Sequence, residues 1–224
     1  EIPIWLYDVI DVGQPFSAAH FVRLARRAID YIHKRKKLPI VVGGTGLYLS
    51  ALTSTIDTLG IPPNTKLRKR LIPMSVEKLQ KELQKVDATR WKRMNNSDRS
   101  NPRRLIRAIE VSGNTSTQRT PKYDALWIGL TAPLPVLKQS IEARVKARWD
   151  KARGEVTDDL PFIFGAGPLL LFLRGEVTKE EALRKWMRAE YQYAKRQLVW
   201  FRKQKQILWL NEAQVEEYVR QWYT

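Results

Sequence analysis

The sequence predicts an α/β fold: a parallel sheet with its helices over residues 1–64 and 113–224, and a helical insertion over residues 65–112. Three observations predict it. Residues 4–10, then 17–37, then 38–42 read strand, helix, strand, the order of a βαβ unit. Residues 65–112 lose that alternation and become charged and helical. Leu126 to Leu130 then returns to a short apolar run of the kind a buried strand carries.

Each element has a local reason. Residues 4–10 are apolar and read as a strand entered partway, with the expectation that further chain precedes Glu1. Ser17 stands where an N-cap belongs, and Phe21, Leu24, Ala25, Ala28, Ile29 and Ile32 follow at helical spacing. Lys34-Arg35-Lys36-Lys37 closes that helix, where cations meet the negative end of the dipole. Leu38 to Val42 is a second strand candidate, and residues 43–52 turn on glycines into a helix. Gly60, Pro62 and Pro63 make a loop of residues 56–64.

In the insertion, Ser75 precedes an apolar stripe of Val76, Leu79, Leu83 and Val86. A second helix starts at Asn101, with Pro102 at its first position. Residues 113–124 are polar and loop-like. Beyond the strand at 126–130, Leu137, Ile141 and Val145 mark a helix, and Gly165, Gly167 and Pro168 break the chain again. Thr178 with Glu181 has capping-box form and opens a long helix. Ile207 to Leu210 is a last strand candidate, followed by a short amphipathic helix.

Charge narrows the partner. The 224 residues hold 40 Lys and Arg against 23 Asp and Glu, a net charge of +17. Such an excess favours a polyanion, nucleic acid first and a membrane surface second. No apolar run approaches the ~18 residues of a membrane span. Cysteine is absent, which excludes disulfides, thiolate metal sites and thiol catalysis. His20 and His33 stand too far from other ligands for a metal site, and no Ser-His-Asp or paired-carboxylate arrangement can be argued.

Three segments carry chemistry. Gly43, Gly44, Thr45 and Gly46 follow the second strand candidate. Glycines there let backbone N–H groups approach a ligand, and the Thr45 hydroxyl can orient a base or phosphate. A tight strand-to-helix turn without a ligand explains the same glycines. Arg103, Arg104 and Arg107 crowd a helix start. Cations are unfavourable at that end of the dipole, so phosphate would offset them, although a solvated basic face is the alternative. In the long helix, Lys195, Arg196 and Arg202 interleave with Gln197 and Trp200. Cations beside flat rings suit RNA; Phe201 fits the apolar stripe, and Trp200 fits either role.

Together these segments resemble the tRNA dimethylallyltransferase family. Residues 39–52, PIVVGGTGLYLSAL, resemble its glycine-rich motif. Residues 98–111, DRSNPRRLIRAIEV, resemble its arginine-rich motif, and residues 194–202, AKRQLVWFR, its C-terminal motif. Ser17 to Phe21 is similar to a further family segment, and the likeness runs through most of residues 6–210.

The resemblance implies a P-loop NTPase-like parallel sheet core with a helical insertion. It implies transfer of a dimethylallyl group from dimethylallyl diphosphate to N6 of adenine 37, next to the tRNA anticodon. That base would be flipped out of its loop to react. By resemblance, Arg144 contacts the diphosphate and Thr45 lies near the substrate adenine. Gly43, Gly44 and Gly46 line the substrate channel. Arg103, Arg104 and Arg107 bind tRNA, as do Lys195, Arg196, Gln197, Trp200 and Arg202. Mg2+ on the diphosphate, the tRNA anticodon stem-loop as partner, a monomeric state and a cytoplasmic setting complete the expectation. A transferase for free AMP or ATP and a non-catalytic RNA-binding remnant are the rival readings.

The sequence departs from the family pattern in four places. The family's N-terminal phosphate loop and its adenine-facing aspartate match nothing in this chain and are expected before residue 1. Gly165-Ala166-Gly167-Pro168 replaces a Gly-Tyr-Lys/Arg motif. The stretch between Arg144 and Gly165 is short, and Glu190-Tyr191 stands where Thr-Arg is usual.

Overall fold

The computed structural model describes residues 2–11, 13–53, 58–114, 122–157 and 165–223. They divide into two compact units, Glu1–Thr53 with Tyr123–Thr224, and Ser54–Lys122.

The first unit is mostly helical and carries a short parallel ladder. Helix α1, Ala18–Lys34, is capped by Ser17, whose side chain accepts from the His20 N–H. It packs on α2, Gly46–Thr53. The contact buries Val22, Ala25 and Ile29 of α1, with Ala51 and Leu52 of α2 buried as well. Strands β1, Trp127–Leu130, and β2, Ile207–Leu210, pair in parallel from Trp127↔Ile207 to Leu130↔Leu210.

Three further helices of this unit, α8 (Leu134–Glu155), α9 (Ala166–Leu173) and α10 (Lys179–Phe201), share one core. Ile141, Val145, Trp149, Leu169, Ala182 and Trp186 form it. Burial of each large apolar side chain contributes about 1.5–3 kcal/mol. Gly165 enters α9 in the left-handed region at φ 89°, and a Cβ there would fall 2.3 Å from the Trp186 ring. Thr178 and Glu181 close the capping box that starts α10. Helix α11, Glu212–Tyr223, follows β2.

Among its described residues the regular elements of the second unit are all helices: α3 (Thr65–Leu71), α4 (Val76–Val86), α5 (Ala88–Arg93), α6 (Asn96–Arg99) and α7 (Pro102–Glu110). Leu71, Leu79, Leu83, Leu105, Ile106 and Ile109 fill its core, with Trp91 packed against them. Ser75 caps α4, and Asn101 caps α7 with Pro102 at its first turn.

The two apolar segments at 4–10 and 38–42 are not strands. Leu6 and Asp8 adopt left-handed φ of 67° and 48°, which breaks an extended run in the first. In the second, Ile40 is 76% exposed and Val42 89%. A strand needs a ladder partner as well as apolar side chains, and no described residue supplies one to either segment. The βαβ unit read over 4–42 therefore reduces to its helix. The α/β class rests on β1 and β2 instead.

Candidate functional site

Helix α10 organises the candidate site. The glycine turn lies at the N-terminus of α2 and meets α10 directly. The Gln197 side-chain amide donates to the Gly44 carbonyl at 3.0 Å. The Trp200 ring covers Gly46, where a Cβ would come within 2.2 Å of the ring. Gly44 and Gly46 are thus glycine because a helix side chain occupies the space a Cβ would need. Thr45 is exposed at this turn, and its carbonyl accepts from the Tyr48 and Leu49 N–H groups. Gly43 continues the turn and is exposed. The Tyr48 ring stacks on Phe21 at 5.1 Å and meets Phe16 at 6.2 Å, which sets an aromatic wall beside the turn.

Arg144 reaches α10 from α8. Its Nη2 lies 2.7 Å from Glu190 Oε2, and the other oxygen, Oε1, accepts from Trp186 Nε1 at 3.3 Å. Glu190 is largely buried, while Arg144 keeps about half its side chain in solvent. Glu190 and Gln197 are seven residues apart. That is two helical turns, so they share a face of α10 about 10 Å apart along the axis. One rigid element therefore fixes both the Arg144 guanidinium and the glycine turn.

The remaining cations of this helix point outward. Lys195 and Arg196 are exposed, with their cations over the Tyr191 and Tyr193 rings at 4.9 and 5.9 Å. Arg202 is exposed at the C-cap. Trp200 is half-buried and stands edge-on to Phe201 at 4.9 Å. Gln197 and Trp200, read from sequence as RNA contacts, brace the glycine turn.

In the second unit the three arginines of α7 part company. Arg103 is exposed and has no hydrogen bond or ion pair among the described residues. Arg104 pairs with Asp98. Arg107 turns inward: it donates to the carbonyls of Thr58 and Ile61 at 2.7 and 2.8 Å and pairs with Glu110 at 3.0 Å. Sharing a face with Arg103 does not give it a free guanidinium, because the 58–61 loop lies within its reach.

Glu110 is the hub that composition alone does not reveal. Its side chain is fully buried and accepts from Arg68 Nε at 2.6 Å, from Arg107 and from the Asn64 N–H. Burial pushes its carboxyl pKa up. The hydrogen bonds from Arg68, Arg107 and Asn64 outweigh that push and leave the pKa below the usual carboxylate value. The same pairing raises Arg68.

Among the described residues, no group of three or more His, Cys, Asp or Glu could hold a metal ion. No helix among them is long and apolar enough to cross a membrane.

The IPP transferase family matches residues 1–204. The tRNA dimethylallyltransferase of Thermomicrobium roseum is 35% identical over 237 aligned residues, covering 95% of this chain and 70% of the relative. That of Limosilactobacillus reuteri is 32% identical, covering 99% and 81%. The crystal structure of the full-length tRNA isopentenylpyrophosphate transferase from Bacillus halodurans superposes with a TM-score of 0.60 at 30% identity, over 94% of this chain and 72% of that one. A eukaryotic dimethylallyltransferase acting on tRNA shares the fold, with a TM-score of 0.74 at 21% identity, over 94% and 61%. With its family match spanning nearly the whole sequence, the chain belongs to the IPP transferase family.

Proposed function

We propose that this chain transfers a dimethylallyl group from dimethylallyl diphosphate to N6 of adenine 37 in tRNA, beside the anticodon. The observation that carries the reading is the double attachment of α10. The helix holds Arg144 through Glu190 and the Thr45 turn through Gln197 and Trp200. The relatives' shared name supplies the reaction.

In that reaction the N6 lone pair attacks C1 of the dimethylallyl group. The C1–O bond breaks, and diphosphate leaves with the bonding electrons. A carboxylate takes the N6 proton. Arg144 spends one donor on Glu190 and keeps the rest of its guanidinium for the departing diphosphate, where charge grows in the transition state. Thr45 offers a hydroxyl to the adenine at the edge of the aromatic wall. Alignment of the two reactants comes from α10 as a common support. Arg103, Lys195, Arg196 and Arg202 are the exposed cations proposed to take tRNA phosphates.

The finer reading is of a P-loop NTPase-like core, acting as a monomer on the anticodon stem-loop in the cytoplasm. The parallel β1–β2 pair and the likeness to the solved relatives support it. Mg2+ is proposed to arrive on the diphosphate, whose oxygens suit a hard cation.

Partition of label tests the reading. The full-length protein is incubated with labelled dimethylallyl diphosphate and either tRNA or AMP. Label on tRNA is expected. Label on AMP would move the chain to the free-nucleotide transferases, and no label on either would leave an RNA-binding protein.

A further inference from the structure

We propose that the corner closing α1, Lys34–Lys37, is an additional phosphate-backbone contact for RNA, apart from the cations of α10 and α7. This rests on the reading of tRNA as substrate and extends the grip to a part of the fold with no assigned role.

Four consecutive cations stand there, all exposed, and none has an ion pair among the described residues. No Asp or Glu occurs between Asp30 and Asp57 to neutralise them. Asp30, one turn before Lys34, is the one carboxylate of residues 12–56, so the corner keeps a net positive charge.

The backbone gives an independent reason. The Lys37 N–H bonds the Ile32 carbonyl at 3.2 Å, and the Lys36 N–H bonds the His33 carbonyl at 2.8 Å. This is the paired pattern of a Schellman ending, whose left-handed position glycine ordinarily fills. Lys36 fills it here, at φ 55°. A lysine at that position strains the backbone where glycine would not, so its side chain has a use that the turn does not supply.

Flat surfaces lie beside the cations. Arg35 sits over the Tyr31 ring at 5.5 Å, and Tyr31 meets Trp5 at 5.2 Å. Tyr31 and Trp5 are 46% and 43% exposed. Cations next to exposed rings fit the phosphates and unstacked bases of RNA. An anionic membrane fits less well. A helix lying on a bilayer buries its apolar face in lipid, whereas Val22, Ala25 and Ile29 of α1 are already buried inside the protein.

Binding of the full-length protein to tRNA, measured across a series of salt concentrations, tests the proposal. Two variants are compared with the parent: Lys34→Gln/Arg35→Gln/Lys37→Gln, and Lys36→Gly. The triple variant is expected to bind tRNA at least about tenfold more weakly, with a salt slope shallower by about two to three. Lys36→Gly is expected to melt no lower than the parent, because strain is relieved, and still to bind tRNA more weakly. If the parent binds tRNA and both variants match its affinity and slope, the proposal is overturned while the function stands. A parent that does not bind tRNA overturns both. Loss of binding to phosphatidylserine vesicles in the triple variant, with tRNA binding intact, would assign the corner to a membrane and overturn the RNA contact.

Discussion

Gln197 donates to the carbonyl of Gly44 across 153 residues of sequence, and one turn further along α10 Trp200 lies over Gly46. The C-terminal helix thereby fixes the shape of the glycine turn. The two glycines differ in what a methyl group would meet. At Gly44 it meets the end of a flexible amide, and at Gly46 a rigid indole.

Gly46→Ala is therefore expected to destabilise the protein by about 1–3 kcal/mol, the range for overpacking. Gly44→Ala should cost about 1 kcal/mol, mainly the lost hydrogen bond. Denaturant midpoints separate the two. Gly46→Ala combined with Trp200→Leu should recover part of the loss, since the clash is with the ring.

Arg144 and Glu190 make a second test. Arg144→Gln removes the cation proposed for the diphosphate and should lower kcat/KM for dimethylallyl diphosphate on the order of 10²–10³-fold. Tm should fall modestly, because Arg144 is half in solvent but leaves the largely buried Glu190 carboxylate with Trp186 as its remaining partner. Glu190→Gln keeps the shape and the Trp186 bond but loosens the guanidinium, so a smaller drop is expected. Steady-state kinetics at saturating tRNA reads both. Equal drops would show that the carboxylate does more than orient Arg144.

Arg103 and Arg107, four residues apart on one helix, are expected to behave oppositely. Arg103→Ala should weaken tRNA binding and flatten its salt slope by about one without changing Tm. Arg107→Ala releases the Thr58 and Ile61 carbonyls and uncovers one side of Glu110. Its first effect should be on the stability of the second unit. A thermal melt and a salt titration on each variant give the four values needed.

Glu110 links that stability to pH. Its folded-state pKa lies below the unfolded value, so its pairing stabilises the unit above about pH 4.3. The contribution is lost as pH falls from there through the folded value. Glu110→Gln should cost about 2 kcal/mol at neutral pH, less than for a fully dry pair because both arginines are partly exposed. The variant should also lack that acid limb in a plot of stability against pH.

Much of this was legible in the sequence where the physics is local. Ser17, Ser75, Asn101 with Pro102, and Thr178 with Glu181 each cap the helix their spacing implies. The 127–130 and 207–210 runs form strands. What was not legible depends on partners far away in sequence. Residues 38–42 have strand composition but no ladder among the described residues. Arg107 has the spacing of a surface cation, yet a loop 46–49 residues upstream takes its donors. Gln197 and Trp200 have the composition of an RNA contact, and their bond and ring contact to the glycine turn far upstream cannot be read from spacing. Glu110 gave one signal, an acid two turns into a basic helix with Arg107 one turn before it, which needed Arg68 to acquire meaning.

The most direct measurement is nucleoside mass spectrometry of tRNA after incubation with the full-length protein and dimethylallyl diphosphate. N6-dimethylallyladenosine is expected at position 37, falling sharply for Arg144→Gln. Unmodified adenosine at that position with the parent protein, or full modification by the Arg144 variant, would contradict it.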